Sequence, residues 1–391
     1  MSMTRRLFSL SSPLGTSVAD GVRGVDHAVC ELRRGGYVVL FPATEEKDPC
    51  VVQAAEAVTP HSLDVLTRLA LGHPPVLVLT LRRAVASGLI AAAANVGENP
   101  VSVVQVAAGL EAGRMLALAQ PGAEPFISPE EMRGASLVPG QGVLGAAVRL
   151  AKLARLLPAA VVGTLSKEGS ADPVMMGRGR VLVADVLAYD MRIVHTLRPV
   201  SEARVPLDGA ENVRLIAFRP GDGGLEHLAI IVGAPKAETP VLVRLHSECF
   251  TGDLLGSLRC DCGNQLRGAI TAMAEAEAGA GVLLYLAQEG RGIGLVNKLR
   301  AYQLQDGGFD TLEANGQLGF DDDERIYLPA VEMLRQLGFL QVRLMTNNPR
   351  KVEALARHGI TVVERIPHVF PANRHNLPYL RTKATKGGHL F

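Results

Sequence analysis

VLVRLHSECFTGDLLGSLRCDCGNQLRGAITAMAEAEAG, residues 241–279, runs from a short apolar strand through a polar, glycine-bearing turn into a helix. VLVRL (241–245) is brief and bounded by polar residues, as a buried strand is; QLRGAITAMAEAEAG (265–279) carries helical spacing and stops at glycine. The alternation recurs outward in both directions. YVVLF (37–41), PVLVLTL (75–81), VLVADVLAY (181–189), GVLLYLA (281–287) and QVRLMT (341–346) read as further strands. VDHAVCELRRGG (25–36), AAVRLAKLARLL (146–157), YLPAVEMLRQLG (327–338) and NPRKVEALARHG (348–359) read as helices. The expected fold class is mixed α/β (α+β) in two domains, with the break near 192–202, where RIVHTLRPVSEARVPL leaves one segment and begins another. That divides the chain into a flexible tail (1–20), a first domain (21–197) and a second (198–391).

At 391 residues with 48% hydrophobic and 20% charged residues, the chain has ample core for two domains. A net charge of +1 gives no global attraction for nucleic acid or an anionic membrane. No uncharged apolar stretch reaches the roughly 18 residues of a membrane span, and MSMTRRLFSLSSPLG has too short an apolar run for a signal peptide. Five cysteines, two of them the distant Cys30 and Cys50, make no disulfide framework, which places the protein in a reducing cytoplasm.

The remaining three, Cys249, Cys260 and Cys262, form a Cys-x10-Cys-x-Cys pattern. Thiolates favour zinc among cytoplasmic cations, and three of them leave a fourth position for water. Two other readings stand beside an open, catalytic zinc: His246 closing a structural site, or cysteines that merely fill core. Thr251, Gly252, Asp253, Arg259 and Asp261 are too polar for the last. Downstream, QEGRGIGLVNK (288–298) follows a strand and precedes a helix. Gly290, Gly292 and Gly294 alone suit any tight turn, but Arg291 and Lys298 in the same run suggest an anion cradle, with Glu289 as an acceptor for ligand donors or a hydrated metal. TNNPRK (346–351) ends a strand and opens a helix, offering amides and Lys351 to another phosphate. Two phosphate sites beside one hydrolytic metal point to a nucleoside polyphosphate.

RLHSECFTGDLLGSLRCDCGNQL, QEGRGIGLVNKLRAYQLQDGGFDTLEAN, LGFDDDERIY and LMTNNPRKVEAL resemble GTP cyclohydrolase II over essentially the whole second half. The resemblance implies zinc-dependent hydrolysis of GTP at carbon 8 of guanine, releasing formate and diphosphate and leaving a diaminopyrimidinone ribosylamino phosphate, the first step of riboflavin synthesis. It implies one zinc ion per subunit on Cys249, Cys260 and Cys262, magnesium with the triphosphate, and a homodimer. GTP contacts fall on Arg244, Leu245, His246, Ser247, Glu248, Gln265, Glu289, Gly290, Arg291, Thr311, Thr346 and Lys351. Tyr302 matches a tyrosine that assists ring opening, and Asp323 and Arg325 match a proton acceptor and a nucleophile at the α-phosphate. Arginine has no free lone pair, so a clamp on the phosphate is its easier role.

The first half resembles 3,4-dihydroxy-2-butanone 4-phosphate synthase through ELRRGGYVVLFPATEEKDPCVVQAAEAVTP (31–60) and GAAVRLAKLARLLPAAVV (145–162). Where that family carries a metal-binding acidic loop, this chain reads Glu45, Glu46, Lys47, Asp48, Pro49, Cys50, and where it carries His-Thr-Glu, Val143, Leu144 and Gly145. The last three can neither bind a metal nor move a proton, so this half is expected to be an inactive platform. His27, His61 and His73 read as surface or helix-face residues. The alternatives are a silent zinc- and nucleotide-binding regulatory protein, or a bifunctional enzyme that also makes the butanone phosphate.

Overall fold

The computed structural model describes residues 18–42, 48–91, 103–106, 109–122, 127–175, 177, 179–377, 381, 384 and 390. Most of the expected tail, and Glu45, Glu46 and Lys47, lie outside them; residues 18–20 open the helix Val18–Arg33.

The described chain forms two seven-stranded sheets, one in each half. In the first, the order is Ser136–Val138, Val103–Gln105, Val76–Thr80, Ala159–Thr164, Cys50–Ala54, Val38–Phe41 and Gly179–Leu182, antiparallel throughout except for the last pair. Apolar clusters cover both faces of it, which is why strands such as Ala159–Thr164 are apolar without alternation. The stretch VLVADVLAY corrects one expectation: the strand stops at Leu182, and Val183–Val194 is a helix. Val183, Val186 and Tyr189 recur three residues apart and are buried together, so helical spacing prevails over local β propensity.

The second sheet positions the site. Val241–Ser247 lies parallel between Gly281–Leu286 and Gln341–Met345, with Thr361–Ile366 parallel outside the latter. His227–Val232, Val213–Arg219 and Arg198–Arg204 extend the other edge antiparallel. The carboxyl ends of the three central parallel strands therefore open side by side, the place where open α/β sheets bind ligands.

The two halves share a core. Leu157 of the first packs with Ile293, Ala301, Ala314, Leu318 and Phe320 of the second. Arg83 is 2% exposed and donates to the carbonyls of Leu118 (2.8 Å), Gln120 (2.6 Å) and Gln317 (2.8 Å), so one guanidinium closes the C-terminal ends of two helices, Ala112–Ala119 and Thr311–Leu318. Thr80 Oγ1 donates to the carbonyl of Gly319 at 2.7 Å.

A second contact between the halves is titratable. The Tyr189 hydroxyl lies 2.5 Å from Asp26 Oδ1 and 2.6 Å from Asp222 Oδ2, yet a phenol has one proton to give. Burial, with the charge of Asp222, pushes Asp26 up to about 6, so below that pH Asp26 holds the proton the second contact needs. Between its ordinary value of 3.8 and that raised value, the folded chain keeps a proton the unfolded chain has released. Its contribution is therefore full at low pH and is lost as pH rises through about 6. Between about pH 4 and 7 the melting temperature of the wild type should fall relative to Asp26→Asn, whose amide supplies a permanent donor; parallel profiles would reject the shared proton.

Candidate functional site

Three loops leave the parallel strands and meet in one pocket. The first carries the cysteines. Phe250–Asp253 is a single helical turn that brings Cys249 back toward Cys260 and Cys262, and the three sulfurs lie within 4.8 Å of one another. Cys249 and Cys260 are 3.7 Å apart, close to the edge of about 3.8 Å that a tetrahedron of thiolates forms at a zinc–sulfur distance of about 2.3 Å. Gly252 makes room for this: a Cβ there would sit 2.7 Å from Cys260 Sγ and 3.0 Å from Cys249 Sγ. The donor set thus fits a soft or borderline divalent cation. Among the described residues the group contains these three cysteines alone, and His246 is engaged elsewhere.

Hydrogen bonds from the other two thiols, with the charge of Lys298, hold Cys249 as a thiolate. Lys298 donates to Cys249 Sγ (3.1 Å), Thr251 Oγ1 (3.0 Å) and Glu289 Oε1 (2.8 Å). Burial alone would lower Lys298; the thiolate and Glu289 more than offset it and raise it. The sequence placed Lys298 in an anion cradle, but the structure aims it at sulfur. Glu289 is likewise occupied by protein donors, since its oxygens also accept from Gly290 N (2.7 Å) and Phe250 N (2.6 Å). It ties the second loop to the first.

Asp253 is the organiser the sequence did not single out. Its carboxylate accepts from Cys249 N (2.9 Å) and Tyr285 OH (3.0 Å) and meets His246 Nε2 at 3.1 Å, while His246 stacks on Tyr285. The only signal was an acid directly after a glycine in the cysteine loop, which reads equally as a surface turn. Arg244, 5% exposed, bonds Gln265 and the carbonyl of Met345. Ser247 Oγ is buried without a partner among the described residues.

The second loop, Glu289–Gly294, needs the left-handed region at Gly290 (φ 63°), Arg291 (62°), Gly292 (96°) and Gly294 (85°). Arg291 pays the steric cost a glycine would avoid, and its Nη1 donates to the Asp322 carbonyl at 3.1 Å. Tyr302 follows on the helix Leu295–Asp306, its ring under the guanidinium of Arg259 at 4.9 Å; burial pushes its hydroxyl up to about 12. Asp323 grips Arg325 with both oxygens, at 2.7 Å to Nε and 2.6 Å to Nη2. Burial opposes ionisation of Asp323, and Arg325 overrides it, holding the carboxyl below its usual range. Such a carboxylate is a poor proton acceptor and a good orienter of the guanidinium. The third loop brings Thr346 and Lys351; Lys351 Nζ donates to the Leu245 carbonyl at 2.7 Å. Thr311 reaches the wall from the start of Thr311–Leu318.

Of the residues assigned from sequence to metal, GTP or catalysis, every one but Asp323 lines this pocket, and Asp323 stands behind Arg325. Arg259, Gln305, Asn315, Asn347 and Asn348 line it as well and were not anticipated.

The model of the GTP cyclohydrolase II family matches residues 198–367. The GTP cyclohydrolase-2 of Azospirillum brasilense is 53% identical over 381 residues, covering 95% of this chain and 94% of its own. That of Escherichia coli is 52% identical over 195 residues, covering 50% of this chain and 98% of its own. A solved two-domain 3,4-dihydroxy-2-butanone 4-phosphate synthase from A. baumannii covers 88% of this chain at 19% identity, with a TM-score of 0.33, too low for a shared fold to be read from it.

Because Gly252 is crowded by sulfur and not by backbone strain, Gly252→Ala should weaken metal binding about 10- to 100-fold in competition with a chromophoric chelator. Gly113→Ala, whose methyl meets nothing within 4 Å, should leave it unchanged. Equal affinities in all three proteins would mean that the crowding at Gly252 does not constrain the sulfurs.

Proposed function

We propose, for a chain that belongs to the GTP cyclohydrolase II family, that the pocket at the strand ends holds GTP between a zinc ion on Cys249, Cys260 and Cys262 and a cationic wall. The enzyme hydrolyses GTP, with release of formate and diphosphate, as the first step of riboflavin biosynthesis. The observation that carries the assignment of residues is the meeting of three clustered thiols with Arg291, Arg325 and Lys351 in one cavity. When bound, zinc supplies a Lewis acid and a nucleophile from water near neutral pH.

The chain's own residues do the rest. Lys298, together with the other two thiols, keeps Cys249 ionised for metal binding and is itself balanced by Glu289. Asp253 fixes the backbone of Cys249, and with it the angle at which the first sulfur enters. Arg244, Gln265, Glu248 and the unpartnered Ser247 hydroxyl face the purine and ribose; Leu245, backed by His246, forms the floor. The Tyr302 hydroxyl, protonated at neutral pH, donates to the opening ring. Arg325 clamps the α-phosphate with Asp323 orienting it, and Gly290, Arg291, Thr311, Thr346 and Lys351 receive the remaining phosphates with a magnesium ion. A guanidinium that is always protonated and gripped from behind cannot attack phosphorus, so this role replaces that of nucleophile.

The first half makes no butanone phosphate in this reading, since Val143, Leu144 and Gly145 begin a helix with no metal-binding or proton-transferring group. The five cysteines are free, which suits a reducing cytoplasm, and no described helix is long and apolar enough to cross a membrane. A homodimer completes the proposal.

Chelator treatment should abolish formate release from GTP, and zinc should restore it. Cys260→Ser should be inactive with zinc added, and Arg325→Lys should lose about 10²- to 10³-fold in kcat/KM, the loss typical of removing one fixed donor from developing charge. Ribulose 5-phosphate should give no product. Full turnover by Cys260→Ser would reject the zinc site; no formate after verified zinc loading would leave a nucleotide-binding protein without turnover.

A further inference from the structure

In the acidic run Asp321, Asp322, Asp323, Glu324, it is Asp323 that turns to Arg325. The other three face the first half of the chain. Arg82 pairs with Asp321 at 2.9 Å and with Asp322 at 3.0 Å, across exposed side chains where an ion pair contributes little. Lys152, 15% exposed, meets Glu324, 12% exposed, at 2.6 Å, with Asp321 at 3.4 Å. This pair is shielded, and Glu324 Oε1 also accepts from Asp321 N at 2.8 Å, so Lys152 grips the acid that folds the loop on itself.

From Glu324 the contact runs straight to the site. Glu324 N donates to the Arg291 carbonyl at 3.0 Å, and a Cβ on Gly292 would come within 2.9 Å of the Glu324 backbone. The loop that bears Arg325 and the turn that bears Arg291 are thus interlocked, with Lys152 behind both. Other supports from the same half converge here: the Arg155 carbonyl accepts from Asn297 at 3.0 Å, the Arg155 side chain packs on Gly294, and Arg83 closes the helix that begins at Thr311. Yet among the described residues none of the first half lines the pocket.

We propose that Lys152, through Glu324, is a positioning residue for GTP hydrolysis, and that the first half serves as a clamp in cis on the phosphate-facing wall. The proposal rests on the reading of Arg325 as a phosphate clamp. Its measure is the position of that guanidinium, where an error of about 1 Å is enough to cost on the order of 10²-fold in rate.

The test uses the full-length, zinc-loaded enzyme. Lys152→Met should lower kcat/KM for GTP at least tenfold, with zinc content unchanged and the protein folded by circular dichroism at the assay temperature. Lys152→Arg should recover to within threefold of wild type, and Glu324→Gln, which keeps the shape of the loop, should lose activity to an intermediate degree. Arg68→Gln, which breaks the exposed Arg68–Asp172 pair within the first half, should have no effect. In an Arg325→Gln background, Lys152→Met should cost less than it does in the wild type, because the part of its effect that runs through Arg325 is already removed. A lower melting temperature with unchanged kcat/KM, or full additivity with Arg325→Gln, would reduce Lys152 to a structural contact and overturn the proposal. If Arg325→Gln itself keeps full turnover, the reading of the pocket fails; if Arg325→Gln is impaired and Lys152→Met is not, the positioning role alone fails.

Discussion

Three sulfur atoms gathered in a protein interior impose the constraint from which the rest of the site follows. A thiolate in that setting needs a cation close by, and Lys298 provides it. Lys298 in turn needs an anion, and Glu289 provides that. Glu289 then takes the amide of Phe250, next to the first cysteine, which returns the chain of contacts to its origin. The circuit links the loop after Val241–Ser247 to the loop after Gly281–Leu286. Two strand ends that hydrogen bonding only sets side by side are thereby joined by charge.

A similar logic governs the junction of the two halves. The four consecutive acids at 321–324 would repel one another in a solvated loop, and the arrangement becomes favourable because Arg82 and Lys152 are brought from the other half. Arg83 adds a cation at 2% exposure whose partners are carbonyls at helix ends, so its burial is compensated by hydrogen bonding. The first half contributes charge and shape to the back of the pocket, while none of its described residues joins the lining.

The legible parts of the sequence were those whose signal is local. The cysteine spacing with its polar filling, the glycines around Arg291, and the strand-to-helix step at TNNPRK each carry their meaning within about a dozen residues. Asp253 was not legible, since an acid after glycine has the same local appearance whether it faces solvent or organises His246, Tyr285 and Cys249. Lys298 was assigned to phosphate for a related reason: its charge is local, but its direction along the helix is set by where the cysteine loop lies. VLVADVLAY misled because β-branched residues and a helical period of burial coexist in the same nine letters, and packing chose the latter.

By itself, then, the sequence determined most of the alternation of strands and helices, the three cysteines of one polar loop and the family to which their surroundings belong, all set by short-range pattern. Only the tertiary structure decided that Asp323 grips Arg325, that Lys298 meets sulfur, and that Lys152 reaches Glu324 from 172 positions away. Pairings of that kind depend on which elements come together in space, because an ion pair is formed by distance and shielding, and neither is written in the order of residues.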